Sequence, residues 1–187
     1  MKILVIDNYD SFVYNIVHMI KEQQEVTLDI VKNDEVTLNM AKNYDKIVLS
    51  PGPGIPKNAG KMLEILGALH KEKSFLGVCL GHQAIAEYFG GKLINLPQPL
   101  HGISSAFLKE KDDYLMKETP EEFHIGHYHS WVVDKNLPEE LVPLGYDIRG
   151  NLMALKHIHW DIRGLQFHPE SVLTDYGAQI IRNWLNH

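Results

Sequence analysis

The sequence predicts an α/β fold: an open, mostly parallel sheet flanked by helices, with additional antiparallel strands in the C-terminal half. Three observations carry that expectation. Up to Gly91, short apolar runs alternate with helical patterns, the order produced by right-handed βαβ crossovers. Runs such as KILVI and KIVL are almost continuously apolar, as strands covered on both faces must be. After Gly91 the helical patterns give way to closely spaced short strands.

The first strand spans residues 2–6, and an Asn/Asp/Ser loop follows it. The spacing of Phe12, Val13, Ile16, Val17 and Ile20 predicts a helix, with Asp10 or Ser11 as its cap and Asn8 and Tyr9 shaping the loop. Residues 26–31 and 46–49 are the next strands, and 58–71 a helix. A strand at 74–78 meets a helix that reads from Ala84 and stops at Gly90-Gly91. Beyond it, residues 92–96, 104–109, 123–130, 142–148, 152–157 and 164–167 read as short strands, and 175–185 as a closing helix.

The 187 residues fit a single domain, 1–187, with no repeat, linker or low-complexity tract. One cysteine excludes an internal disulfide and points to a reducing compartment. The apolar start MKILVI meets Asp7 at once, too short for a signal peptide or a membrane span. A net charge of −6 without a basic cluster argues against a nucleic-acid surface. A soluble cytoplasmic protein is expected.

The lone Cys79 lies in GVCLGHQ, between an apolar strand and a helix. A sharp strand-to-helix turn there would be eased by Gly77 and Gly81, and the positive end of the following helix would favour a thiolate. A buried core cysteine is the plain alternative. In an open parallel sheet, ligands sit beyond the carboxyl ends of the strands, and two further loops fall at that edge. Ser50-Pro51-Gly52-Pro53-Gly54 can present backbone N–H groups to an oxyanion, or be an ordinary Pro/Gly turn. Gln166-Phe167-His168-Pro169-Glu170 supplies an imidazole to exchange a proton with the thiol and a carboxylate to hold that imidazole. His124, His127, His129, His157 and His159 form no compact set of known metal spacing, so no metal and no cofactor are expected. Tyr128-His129-Ser130-Trp131 reads instead as a strand end lining a substrate.

Taken together, SPGPG, GVCLGHQAIAEYFGGK, HYHSWVV and GLQFHPES resemble the class I (triad-type) glutamine amidotransferases, across nearly the whole chain. The opening IDNYDSFVYN is similar to the glutaminase subunits of anthranilate synthase and aminodeoxychorismate synthase. The resemblance implies a flavodoxin-like sheet and a Cys79–His168–Glu170 triad of nucleophile, base and orienting carboxylate. It implies that Gly52, Pro53, Gly54, Leu80, Gln83, Ser130 and Trp131 bind glutamine or its oxyanion. It further implies ammonia delivery to chorismate on a partner synthase subunit, in tryptophan or folate biosynthesis. Asp10, Ser11, His101 and Gly102 are the candidates for the partner interface. Two positions depart from the family pattern: Ile103 where HGK is common, and Trp131 where Leu is frequent after YHS. Ending at His187, the chain leaves no room for an acceptor domain, so a second polypeptide is expected. A γ-glutamyl peptidase, a non-enzymatic binding module, and a glutaminase serving carbamoyl-phosphate or GMP synthesis are the alternatives.

Overall fold

Strand β1 (Lys2–Asp7) buries every residue after Lys2, which places it inside the sheet rather than at a surface. The computed structural model describes residues 1–23 and 25–187. After β1 come α1 (Val13–Gln23), β2 (Thr27–Lys32), a short α2 (Leu38–Ala41), β3 (Lys46–Leu49), α3 (Met62–Leu69), β4 (Ser74–Val78) and α4 (Leu80–Tyr88). The second half contains β5 (Leu93–Lys109), β6 (Glu122–Val133), β7 (Leu141–Asp147), β8 (Leu152–His157), β9 (Ile162–Leu165) and α5 (Gly177–Asn186).

Among the described residues, nine strands join one sheet in the order β2-β1-β3-β4-β9-β8-β7-β5-β6. The first five in that order are mutually parallel, and the remaining four are added antiparallel. The expected fold class is therefore observed. Alternation along each buried strand feeds two cores. Ile3, Val5, Val48 and Leu76 pack with Ile16, Ile20 and Ile180, from α1 and α5. Leu4, Ile6, Ile47 and Phe75 pack with Ile65, Leu66 and Ile85, from α3 and α4.

Several boundaries differ from the sequence reading for identifiable reasons. Helix α4 begins at Leu80 and not at Ala84, because Gly81 has to lie against the Leu49 backbone and does so within the helix. The expected strands at 92–96 and 104–109 are one strand, β5, which carries Pro97, Pro99 and Gly102 through register shifts at Asn95/Leu100 and His101/Ile103. Bulges of this kind accommodate residues that a regular ladder would reject. Helix α3 starts at Met62 and not at 58, because Asn58 closes a separate 3₁₀ turn and Gly60 takes a positive φ of 52° that breaks a helix.

Parallel register sets the site. Ile6 pairs with Leu49, Leu49 with Gly77 and Val78 with Leu165. The chain therefore leaves β1, β3, β4 and β9 on one edge of the sheet, where Asn8, Ser50, Cys79 and His168 follow within a few residues.

Candidate active site

Cys79 occupies the turn between β4 and α4 with φ 52° and ψ −100°. A non-glycine residue in such a conformation costs on the order of 1–3 kcal/mol and persists only where its surroundings enforce it. Here they do. The Cys79 N–H donates to the Leu165 carbonyl at 2.7 Å. A Cβ on Gly77 would lie 2.5 Å from the Gly81 backbone, and one on Gly81 would overlap the Leu49 carbonyl oxygen. The two glycines thus let β4 and α4 fold back on each other, with Cys79 at the apex and the helix N-terminus beside its sulfur.

The loop after β9 brings in the other two groups. His168 Nδ1 lies 2.6 Å from Glu170 Oε1, with both side chains buried. The loop is anchored to Gly126 of β6: His168 N–H donates to the Gly126 carbonyl at 3.2 Å, and Thr174 Oγ1, which donates to the His168 carbonyl at 2.6 Å, accepts from the Gly126 N–H at 2.9 Å. Phe12 and Tyr128 both meet the imidazole edge-on at 5.1 Å between ring centroids. Burial alone would lower the His168 pKa. Interaction with the Cys79 sulfur, and then with Glu170, outweighs burial and pushes it up to about 10. Both neighbours favour the protonated ring over the neutral one. Glu170 occupies Nδ1, which leaves Nε2 as the nitrogen for Cys79 to engage.

A cleft of about 590 Å³ opens over these groups, a size typical of small-molecule sites. Cys79, His168, Gly52, Pro53, Gly54, Gln83, Ser130 and Trp131 all line it. Gln83 Nε2 donates to the Trp131 carbonyl at 2.9 Å and to Gln166 Oε1 at 3.1 Å, and Gln166 Nε2 approaches Cys79 Sγ at 3.7 Å. Two predicted residues stand behind the cleft wall. Glu170 is buried beneath His168. The Leu80 side chain fills the core and would touch a Cβ on Gly52 at 2.7 Å, so its contribution to a ligand is confined to its backbone N–H. That N–H is among the donors at the start of a helix that have no intrahelical acceptor.

The rim comes from the predicted interface residues. Asp10, Ser11 and His101 line the mouth of the cleft, and Asp10 Oδ1 also accepts from the Phe12 N–H at 2.8 Å as a local cap. Gly102 is exposed at φ 66° and does not reach the cleft. The histidines separate: His124 is at the surface near Asp175, while His127 and His129 are buried and bonded to each other at 3.0 Å. Among the described residues, no group of three or more His, Cys, Asp or Glu side chains is placed to hold a metal ion. None of their helices is long and apolar enough to cross a membrane.

Two contributors were not singled out from the sequence. Phe12 read as a core position of α1 but packs on His168, and Gln166 read only as part of a loop. Their roles depend on contacts across 156 and 87 positions of sequence (His168 to Phe12, Gln166 to Cys79), which no local pattern encodes.

The family model described as glutamine amidotransferase class-I matches residues 4–187. An anthranilate synthase component 2 from Azospirillum brasilense is 42% identical, over 98% of this chain and 95% of that protein. Another from Lactococcus lactis is 41% identical, over 98% and 93%. Among solved structures, a candidate GMP synthase component from Thermoplasma acidophilum superposes with a TM-score of 0.89 at 25% identity, over 100% of this chain and 92% of that one. A glutamine amidotransferase from Thermotoga maritima shares the fold with a TM-score of 0.76 at 19% identity, over 100% and 81%.

Proposed function

The chain belongs to the class-I glutamine amidotransferases, and from that premise we propose that it is the glutamine-hydrolysing subunit of an anthranilate synthase. The observation that carries the reading is the meeting of a strained Cys79 with a buried His168–Glu170 pair in one small-molecule cleft. Relatives at about 40% identity, named anthranilate synthase component 2, support the choice of complex.

The chemistry follows from the residues. Cys79 thiolate attacks the side-chain carbonyl carbon of glutamine. The Leu80 N–H and the Gly52–Gly54 loop stabilise the developing oxyanion. His168 Nε2 gives its proton to the departing nitrogen, releasing ammonia and leaving a γ-glutamyl thioester. The neutral imidazole then takes a proton from water, whose oxygen displaces the sulfur. Glu170 keeps the tautomer and stabilises the imidazolium in each half-reaction. Gln83 sits where it orients the Trp131 carbonyl at the cleft wall, beside Ser130, so that backbone and side-chain groups meet the polar end of the substrate. Ammonia is transferred to chorismate on a partner subunit, which covers the mouth formed by Asp10, Ser11 and His101.

A glutamine analogue bearing an electrophilic carbon in place of the amide tests the site. Intact-mass and peptide analysis should find one adduct, on Cys79, blocked by excess glutamine. An unmodified Cys79 would refute the nucleophile. Incubation of the co-purified complex with chorismate and glutamine then identifies the product: anthranilate supports the assignment, and an aminodeoxy product would move the chain to the sister synthase.

A further inference from the structure

We propose that His129, His127 and Ser105 form an exit path for the proton that glutamine hydrolysis leaves in the cleft. The inference rests on the glutaminase reading above. Over one cycle the C–N bond of the amide breaks, a C–O bond to water forms, and the thiolate–imidazolium pair is restored. The products are ammonia and the carboxylic acid of glutamate. That acid, with a pKa near about 4.3, ionises at neutral pH. If its proton reached ammonia, ammonium would form and the nitrogen would lose its nucleophilicity. With the mouth covered by a partner, a separate route for the proton keeps it apart from ammonia still on its way to the acceptor.

Among the described residues, a hydrogen-bonded side-chain file leads out of the cleft wall. His129 lines the cleft with Cys79 and His168. Its Nε2 lies 3.0 Å from His127 Nδ1, and His127 Nε2 lies 2.6 Å from Ser105 Oγ. His127 and His129 are two apart on β6 and share its inner face, with 1% and 3% exposure. His129 Nδ1, the inner end of the file, is buried without a hydrogen-bond partner. At the other end, Ser105 is half-buried. Strand β7 pairs with β5 only at Phe107–Lys109, so Ser105 lies just past that pairing, where the edge of β5 is open.

A neutral imidazole carries one N–H and one bare nitrogen, so a proton accepted on one side releases another on the far side. Burial keeps both rings neutral, His129 at about 3. A ring of that acidity accepts a carboxylic acid's proton only transiently and passes it on. The hydroxyl of Ser105 then hands the proton to water.

The test uses the complex co-purified with its synthase partner, with His127→Gln and Ser105→Ala variants. Product and glutamate are measured with glutamine, and separately with ammonium, with and without added imidazole as a diffusible proton carrier. For His127→Gln the glutamine-dependent kcat should fall at least about tenfold, with KM for glutamine unchanged, and imidazole should restore it. Ser105→Ala, at a half-exposed position that tolerates substitution, should show a smaller loss with the same rescue. Ammonium-dependent synthesis should be unchanged in both. Unchanged glutamine-dependent turnover, or a loss that imidazole leaves in place, would overturn the exit path. A wild-type complex that uses ammonium but not glutamine would instead overturn the glutaminase reading beneath it.

Discussion

Asn8 holds Ser50 at two points: its backbone N–H donates to Ser50 Oγ and its side-chain amide to the Ser50 carbonyl, each at 2.9 Å. Asn33 Nδ2 donates in turn to Asn8 Oδ1 at 2.9 Å. The residue that follows β1 therefore fixes the residue that opens the Pro/Gly loop over the cleft. The neighbours of Asn8 in sequence, Tyr9 and Asp10, line the cleft, so a partner pressing on them would be one link from the Pro/Gly loop.

Replacing Asn8 with Ala leaves the Ser50 carbonyl and the Asn33 amide without these partners, which costs about 1–3 kcal/mol of stability. The loop loses its fixed position, and glutamine turnover should drop by about tenfold or more, with a smaller change in KM. Urea unfolding and steady-state glutamate release measure the two effects. Retention of full turnover would show that the loop holds its geometry without Asn8.

The His168–Glu170 contact at 2.6 Å separates base from orienting group. His168→Asn should lose activity by roughly 10⁴-fold, and Glu170→Gln by less, because it keeps a hydrogen-bonding group but loses the charge. In ring-nitrogen NMR spectra, wild-type His168 should remain imidazolium from pH 6.5 towards about 10. Glu170→Gln and Cys79→Ala should each lower that titration. The sign for stability follows: a raised pKa contributes stability that is complete below 6.5 and lost as pH rises through about 10. A His168 ring already neutral at pH 7 in the wild type would contradict the ion pair.

Acid should act through other histidines. His82 and His129 are both buried, and desolvation drives each from 6.5 to about 3. Between those values the unfolded chain binds more protons than the folded one, so stability falls as pH falls from 6.5 towards 3. Each group contributes up to about 1.4 kcal/mol per pH unit. His82→Gln should flatten the slope of unfolding free energy against pH, measured with urea. An unchanged slope would mean that His82 is solvated or protonated in the fold.

The parallel half of the fold was legible because strands buried on both faces leave unbroken apolar runs, and KILVI and KIVL do so. The loops that end them were legible because the residues at the site are chemically unusual, a lone cysteine between glycines above all. Strand β5 was not legible as one element, since its prolines and Gly102 carry the local signature of a break and only pairing with β6 overrides it. Helix α2, four residues long with Thr37 as its cap, is too short for a periodic pattern. The aromatic contacts on His168 and the His127–His129 pair depend on tertiary approach. Neither alternation nor motif spacing distinguishes them from ordinary core positions.

The central claim is that Cys79 supplies ammonia from glutamine to a reaction carried out on another subunit. It is tested most directly by chorismate amination in the complex, with Cys79→Ala in place of the wild-type chain, given glutamine or ammonium at raised pH as the nitrogen source. The account predicts that the variant complex loses glutamine-dependent product while ammonium-dependent product stays at the wild-type level. Glutamine-dependent product persisting in the variant complex at a substantial rate would contradict it.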